Sequence, residues 1–232
     1  MAATIQLAAH AAIEVLTTGG IGGVHRGAAG SGDESADLTA LARHPVAVVC
    51  AGAKAVLDLA QTVERLETLG VPVYGYRTER FPAFYRRDSG RPVDFGFESI
   101  ASLAGAVRAH WSLGTGVGAR TSTGIVVANP IPAEHELPLD LYESAIERAL
   151  AAAAAAGVRG RDVTPFLLEQ LRLLTGGRSV LSNLALLRHN ARVAAALACA
   201  LAPGGARPAA PRPPRAARNR FPKSASRARR VR

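Results

Sequence analysis

The chain has 232 residues, 48% of them hydrophobic, with 28 Lys and Arg against 18 Asp and Glu, a formal net charge of +10. That length suits one domain of moderate size with a real core. The charge does not describe a nucleic-acid-binding body: residues 203–232 hold nine Arg and Lys223 and no acid, so residues 1–202 keep 18 basic against 18 acidic residues.

Strand-like and helix-like pieces alternate, the pattern of an α/β architecture. Residues 2–12 read as a helix and Ile13–Leu16 as a short strand that runs into the Gly-rich stretch Thr17–Gly27. A helix is predicted to start at Ser35, whose hydroxyl can cap it, with Asp37 in the first turn where the helix dipole favours negative charge. Val46–Cys50 is an apolar strand followed by the small-residue turn Ala51-Gly52-Ala53. Lys54 to Leu69 is amphipathic and stops at Gly70, as helices often do. Val71–Tyr76 supplies another strand. Residues 86–96 and 113–123 read as surface loops around a helix over Ser99–Trp111. Gly124–Pro132 is a buried strand entering a Pro-rich loop, and Leu141–Ala156 is an Ala-rich helix closed by Gly157. Thr164-Pro165 signals a further helix start with a capping hydroxyl, and an Ala/Leu helix runs from Ser182 to Leu201. No internal repeat is visible. The domain is therefore assigned to residues 1–202. Residues 203–232 form a Pro/Ala/Arg-rich basic tail, expected to be disordered because its composition builds no core. Such a tail either stays solvated or touches RNA or an acidic membrane; nucleic acid is otherwise not expected as a partner. No apolar run reaches membrane-spanning length and the N-terminus lacks the charged region of a signal peptide, so a cytoplasmic location is expected.

Four features can carry chemistry. Lys54 is the only lysine in the first 202 residues; an ammonium, unlike a guanidinium, becomes a nucleophilic amine when its proton is lost. It follows an apolar strand, where α/β proteins place their sites, although Arg-for-Lys replacement in a GC-rich coding sequence leaves the same single lysine by chance. The Gly-rich stretch 19–27 can cradle a phosphate on backbone N–H groups or simply be a tight loop; it lacks the G-x-G-x-x-G spacing of a dinucleotide site, which argues against a nicotinamide-dependent oxidoreductase. Asp33-Glu34-Ser35-Ala36-Asp37 offers oxygen ligands for Mg²⁺ or Mn²⁺ or, equally, a capped helix start. His25 is the one histidine of the Gly loop and can contact a phosphate or move a proton. The remaining histidines show no metal-ligand spacing, and Cys50 and Cys199 give neither a disulfide framework nor a zinc site.

Several of these segments together resemble one family. Thr18-Gly-Gly-Ile-Gly-Gly-Val-His-Arg-Gly27, Asp33 with Ser35-Ala-Asp37-Leu, Val49-Cys-Ala-Gly-Ala-Lys54, Leu66-Glu-Thr-Leu-Gly-Val-Pro72, Val126-Val-Ala-Asn-Pro-Ile-Pro132, Thr164-Pro-Phe-Leu-Leu168, Leu173-Leu-Thr-Gly-Gly177 and Ser182-Asn183 resemble, in order and spacing, pseudouridine-5'-phosphate glycosidases from Met1 to about residue 200. The resemblance implies a layered α/β/α domain with a mostly buried sheet. It also implies reversible cleavage of the C–C glycosidic bond of pseudouridine 5'-phosphate to uracil and ribose 5-phosphate. A C-glycoside has no heteroatom leaving group to protonate, so the paired-carboxylate route of ordinary glycosidases is insufficient. A lysine that attacks C1' and opens the ribose to an imine-type adduct solves this. By resemblance Lys54 is that nucleophile, Asn183 an active-site amide, Asp33 a Mn²⁺ ligand, and Ser35, Ala36 and Asp37 a substrate-contacting segment; Thr18 and His25 are assigned to phosphate or ribose contact. The family also implies a homotrimer. Its catalytic glutamate and a substrate-binding lysine belong to an N-terminal segment without a counterpart here, so the chain is expected to be an N-terminally truncated member, through deletion or a misassigned start, with impaired turnover. The competing expectation is a non-catalytic remnant that binds sugar phosphate or, through its tail, RNA.

Overall fold

A computed structural model describes residues 1–113, 122–158 and 162–202; the basic tail and most of the 113–123 loop lie outside the described residues. The chain order is α1 (Ala2–His10), β1 (Val15–Thr17), β2 (Val24–His25), α2 (Ala28–Ser31), α3 (Ala36–Arg43), β3 (Ala47–Cys50), β4 (Leu57–Asp58), α4 (Leu59–Thr68), β5 (Val73–Tyr76), β6 (Phe95–Phe97), α5 (Ile100–Ser112), β7 (Ile125–Ala128), a 3₁₀ turn at Ala133–His135, α6 (Leu139–Ala155), α7 (Val163–Leu174) and α8 (Arg178–Leu201). Five strands form an all-parallel sheet in the order β1-β3-β7-β5-β6.

Strands β3 and β7 are buried at every position, as expected of central parallel strands covered on both faces. Their alternation divides the core. Val48, Cys50, Val126 and Ala128 pack with Ile5, Leu38, Leu41 and Leu66 of α1, α3 and α4. Ala47, Val49, Ile125 and Val127 pack with Leu103 and Val107 of α5 and Val193 and Leu197 of α8. The layered α/β/α arrangement is thus the period-two geometry of two buried strands expressed on both faces.

Several local expectations are corrected. The helix predicted from Lys54 begins at Leu59, because Lys54–Val56 turn back, with the Leu57 N–H bonded to the Lys54 carbonyl at 3.0 Å. Leu57–Asp58 then pair antiparallel with Val24–His25, and Asp58 caps α4 by accepting from the Gln61 N–H at 3.0 Å. The 86–96 loop yields to β6 at its end, an edge strand with Phe95 64% exposed. Thr164 lies inside α7, which starts at Val163 with Asp162 as its N-cap residue and without a side-chain capping hydrogen bond. Helix α8 starts at Arg178, four residues earlier than predicted, after Gly177 at φ +81°. It is also long and apolar enough by length and composition to cross a membrane, but its inner stripe, including Asn190, is packed in the domain core. The Ser35 cap is present as expected, accepting from the Asp37 N–H at 3.3 Å.

Candidate active site

The loops leaving β1, β3 and β7 meet at the carboxyl edge of the sheet, the usual location of sites in open α/β proteins. The first two zip together through backbone hydrogen bonds. The Thr18 N–H donates to the Val49 carbonyl at 3.1 Å, Ala51 to Gly19 at 2.9 Å, Ile21 to Gly52 at 3.0 Å and Lys54 to Ile21 at 3.0 Å. The glycines are required by this close approach. Gly52 sits at φ +83°, and a Cβ there would strike the Pro82 carbonyl oxygen; a Cβ on Gly20 would lie 2.6 Å from the Phe84 ring. Phe84 itself adopts φ +64°, an uncommon conformation for an aromatic residue, and its ring covers Gly19 and Gly20.

Lys54 is presented from this zipped pair of loops and is half-buried. Among the described residues no acid pairs with its ammonium. The nearby Cys50 thiol does not compete as a nucleophile: burial raises it to about 12, against the smaller opposing effect of the Gly52 and Ile21 N–H groups. Asn183, half-buried on α8, directs its Oδ1 to within 3.4 Å of where a Gly19 Cβ would stand. Thr18 and Asn183 thus flank the Gly loop to which the Lys54 backbone N–H is bonded.

The 33–37 segment divides in two. Ser35 is half-buried and lies against Gly22, its N–H bonded to the Gly23 carbonyl at 2.9 Å, and Ala36 is exposed. Asp37 is 5% exposed, and its two carboxylate oxygens accept from the Gly22 N–H at 2.8 Å and the Ala2 N–H at 2.7 Å. Its carboxylate is engaged in holding the Gly loop at Gly22. Asp33, by contrast, has a side chain 46% exposed, with its Oδ2 3.9 Å from the His25 Nδ1. Among the described residues no three His, Cys, Asp or Glu converge as a metal cluster. One carboxylate with an adjacent imidazole still fits a hard divalent ion, since such ions commonly retain several waters.

Two hollows flank the β2–β4 ribbon. One of about 350 Å³ is bordered by His25, Glu34, Asp58 and Arg65, with Arg65 and Glu34 paired at 2.8 Å. The other, about 640 Å³, is bordered by Arg26, Arg86, Arg91 and Tyr142 among others. Burial raises the Tyr142 phenol to about 12, with Arg26 and Arg86 pulling the other way. Lys54 borders neither hollow.

Sequence reasoning passed over Phe84 and Asn190. Asn190 has no exposure, and its amide joins the Thr18 carbonyl to the Asn129 side chain. An Asn in the middle of an apolar helix was the available signal, since a buried amide must be satisfied by specific partners.

The fold is that of a three-layer α/β protein, with the candidate site at the carboxyl ends of parallel strands. Residues 1–200 match the family model described as indigoidine synthase A like protein, and the chain belongs to that family. It is 53% identical over 211 residues to a pseudouridine-5'-phosphate glycosidase of Methylobacterium nodulans, covering 91% of this chain and 60% of the relative. To the enzyme of the same name from Caldanaerobacter subterraneus it is 51% identical over 201 residues, 87% of this chain and 64% of the relative. The resemblance drawn from the motifs is thereby borne out, and the chain spans about six-tenths of the length of these curated relatives. Among solved structures, the prealnumycin C-glycosynthase in complex with ribulose 5-phosphate superposes with a TM-score of 0.77 at 38% identity, over 85% of this chain and 63% of that one. An indigoidine synthase A-like protein from Thermotoga maritima gives 0.74 at 37%, over 84% and 62%.

Proposed function

We propose that this chain carries the ribose-adduct machinery of a pseudouridine-5'-phosphate glycosidase, an enzyme of the carbon–oxygen lyase class with glycosidase activity, with Lys54 as nucleophile. The observation that carries the proposal is the placement of the only lysine of residues 1–202, half-buried and without an ion-pair partner among the described residues, on a loop zipped to the Gly-rich strand end. Two relatives of that name at about 50% identity support the substrate, and the ribulose 5-phosphate complex of the C-glycosynthase supports a pentose phosphate as the ligand class.

The chemistry follows from the amine. Nζ forms a bond to C1' of the ribose as the C1'–O4' bond breaks and the ring oxygen takes up a proton. The nitrogen lone pair then forms the imine as the C1'–C5 bond breaks, and C5 of uracil gains a proton. Water hydrolyses the imine to release ribose 5-phosphate and the free lysine. Thr18, Ser35, Ala36 and His25 line the substrate side in this reading, Asn183 orients the sugar near Gly19, and Asp37 holds the loop. Asp33 with its neighbour His25 would hold Mn²⁺, whose positive charge would offset that of the phosphate. The reading also takes the protein to be a cytoplasmic homotrimer in nucleotide catabolism, on the strength of the family resemblance.

The reverse reaction is the convenient assay: uracil and ribose 5-phosphate supplied together with Mn²⁺ are expected to yield pseudouridine 5'-phosphate, at the impaired rate expected from the motifs, with the product separable by liquid chromatography. Lys54→Arg is expected to reduce the yield at least about a thousandfold, as loss of a covalent nucleophile does. Equal product from Lys54→Arg would refute the role given to the amine.

A further inference from the structure

Among the described residues Asn190 is, with Thr62, the least exposed polar residue, at 0%, and nothing in the proposed reaction uses it. Its surroundings fix its orientation. A backbone carbonyl only accepts, so the side facing Thr18 must be the Nδ2 donor; the distance to the Thr18 oxygen is 2.9 Å, with the Gly19 oxygen at 3.5 Å. The Oδ1 side then accepts from Asn129 Nδ2 at 2.9 Å. Asn129 is itself 1% exposed and donates its backbone N–H to the Cys50 carbonyl at 2.8 Å.

One amide on α8 thus joins the loop ends of β1 and β7, and through Asn129 it reaches the end of β3. The next links run to the nucleophile. The Gly19 carbonyl accepts from the Ala51 N–H, Gly52 from Ile21, and Ile21 from Lys54. Seven residues before Asn190, about two helical turns and therefore on the same side of α8, stands Asn183 with its Oδ1 close to Gly19.

We propose that Asn190 is a positioning residue: through the Thr18 and Gly19 carbonyls and Asn129 it sets the Gly loop, and with it Lys54 and the Asn183 amide, in the register needed for attack on the sugar. This rests on the adduct-forming role proposed for Lys54. Burying an amide in this way is worthwhile for geometry, since a fully satisfied internal network specifies one arrangement of its members. Small displacements of reacting groups carry large kinetic penalties, about a hundredfold for 1 Å.

The test compares Asn190→Asp, which keeps the shape but places an acceptor against the Thr18 carbonyl, with Leu197→Ala. Leu197 is equally buried on α8, but in the sheet-facing core away from the loops. Both variants are expected to lose stability, so both are assayed well below their melting temperatures. Borohydride trapping of ribose 5-phosphate on Lys54 is expected to slow at least about tenfold in Asn190→Asp and to stay within about twofold of the parent in Leu197→Ala. Amide hydrogen exchange of Ile21, Ala51 and Lys54 is expected to accelerate at least about tenfold in Asn190→Asp alone, while β7 amides keep their protection. Parent-like trapping and exchange in Asn190→Asp, or equal losses in the two variants, would overturn the proposal. If the parent itself fails to trap, the adduct reading falls, and unchanged exchange in Asn190→Asp would overturn the positioning claim separately.

Discussion

The two ends of the Gly-rich stretch are built differently. From Thr18 to Gly22 it is locked: backbone bonds run to the Lys54 loop, Asn190 and Asp37 are buried beside it, and Phe84 lies over Gly19 and Gly20. Around His25 and Asp33 the backbone is paired, but the Asp33 carboxylate is nearly half exposed, and the neighbouring His25 and Glu34 border an open hollow. A covalent nucleophile needs a fixed approach path, which rigid first neighbours provide. A hard-ion ligand needs an accessible oxygen, because the ion keeps water in its coordination shell. The contrast therefore assigns geometry to one end and electrostatics to the other.

Substitutions can break that contrast. The largest structural effect is expected from Gly52→Ala, which adds a Cβ against the Pro82 carbonyl at a backbone angle that alanine resists. A loss of about 3 kcal/mol, or a fall in Tm of about 6–12 °C, is predicted by thermal denaturation, with trapping at Lys54 impaired even where the variant remains folded. A change below about 1 kcal/mol would show that the loop is less constrained than its contacts imply.

Alkaline pH probes the locked end at smaller scale through Cys50, against a background from two tyrosines packed elsewhere in the core. Cys50 is raised by burial from 9.0 to about 12, and Tyr85 and Tyr142 from 10.0 to about 12, also by burial. Each group is neutral in the folded protein while its unfolded counterpart ionises. The stability they contribute is complete below pH 9.0 and is lost as pH rises towards 12. Denaturant titrations at stepped pH should show the decline beginning near 9, and Cys50→Ala should move its onset towards 10, where the tyrosines begin. No difference in onset would contradict the burial assigned to the thiol.

The smallest effect on stability belongs to the open end. Asp33→Ala is expected to change unfolding free energy by no more than about 0.5 kcal/mol while weakening Mn²⁺ binding at least about tenfold by calorimetry. A large loss of stability without a change in Mn²⁺ affinity would reverse the roles given to the two ends.

Much of this was legible in the sequence. The apolar runs before Lys54 and at Ile125–Ala128 announce central strands, and Ser35 with Asp37 two residues later announces a capped helix. The two-residue strand Leu57–Asp58 was not, because its identity comes from pairing with Val24–His25 rather than from its own pattern. Phe95–Phe97 was hidden by a loop-like composition, and an edge strand shows little burial signature. Asp37 was readable as a cap-region acid but not as the buried acceptor of the Gly22 N–H. Asn190 lies 172 positions from Thr18, a contact that no local spacing reveals.

The central claim is that the Lys54 amine forms the covalent bond to the sugar. Incubating the protein with ribose 5-phosphate and borohydride, then mapping proteolytic peptides by mass spectrometry, should place one reduced pentose-phosphate adduct on the peptide containing Lys54. The adduct should be absent in Lys54→Arg. An adduct confined to another amine, or an unmodified Lys54 peptide at saturating sugar phosphate, would contradict the account.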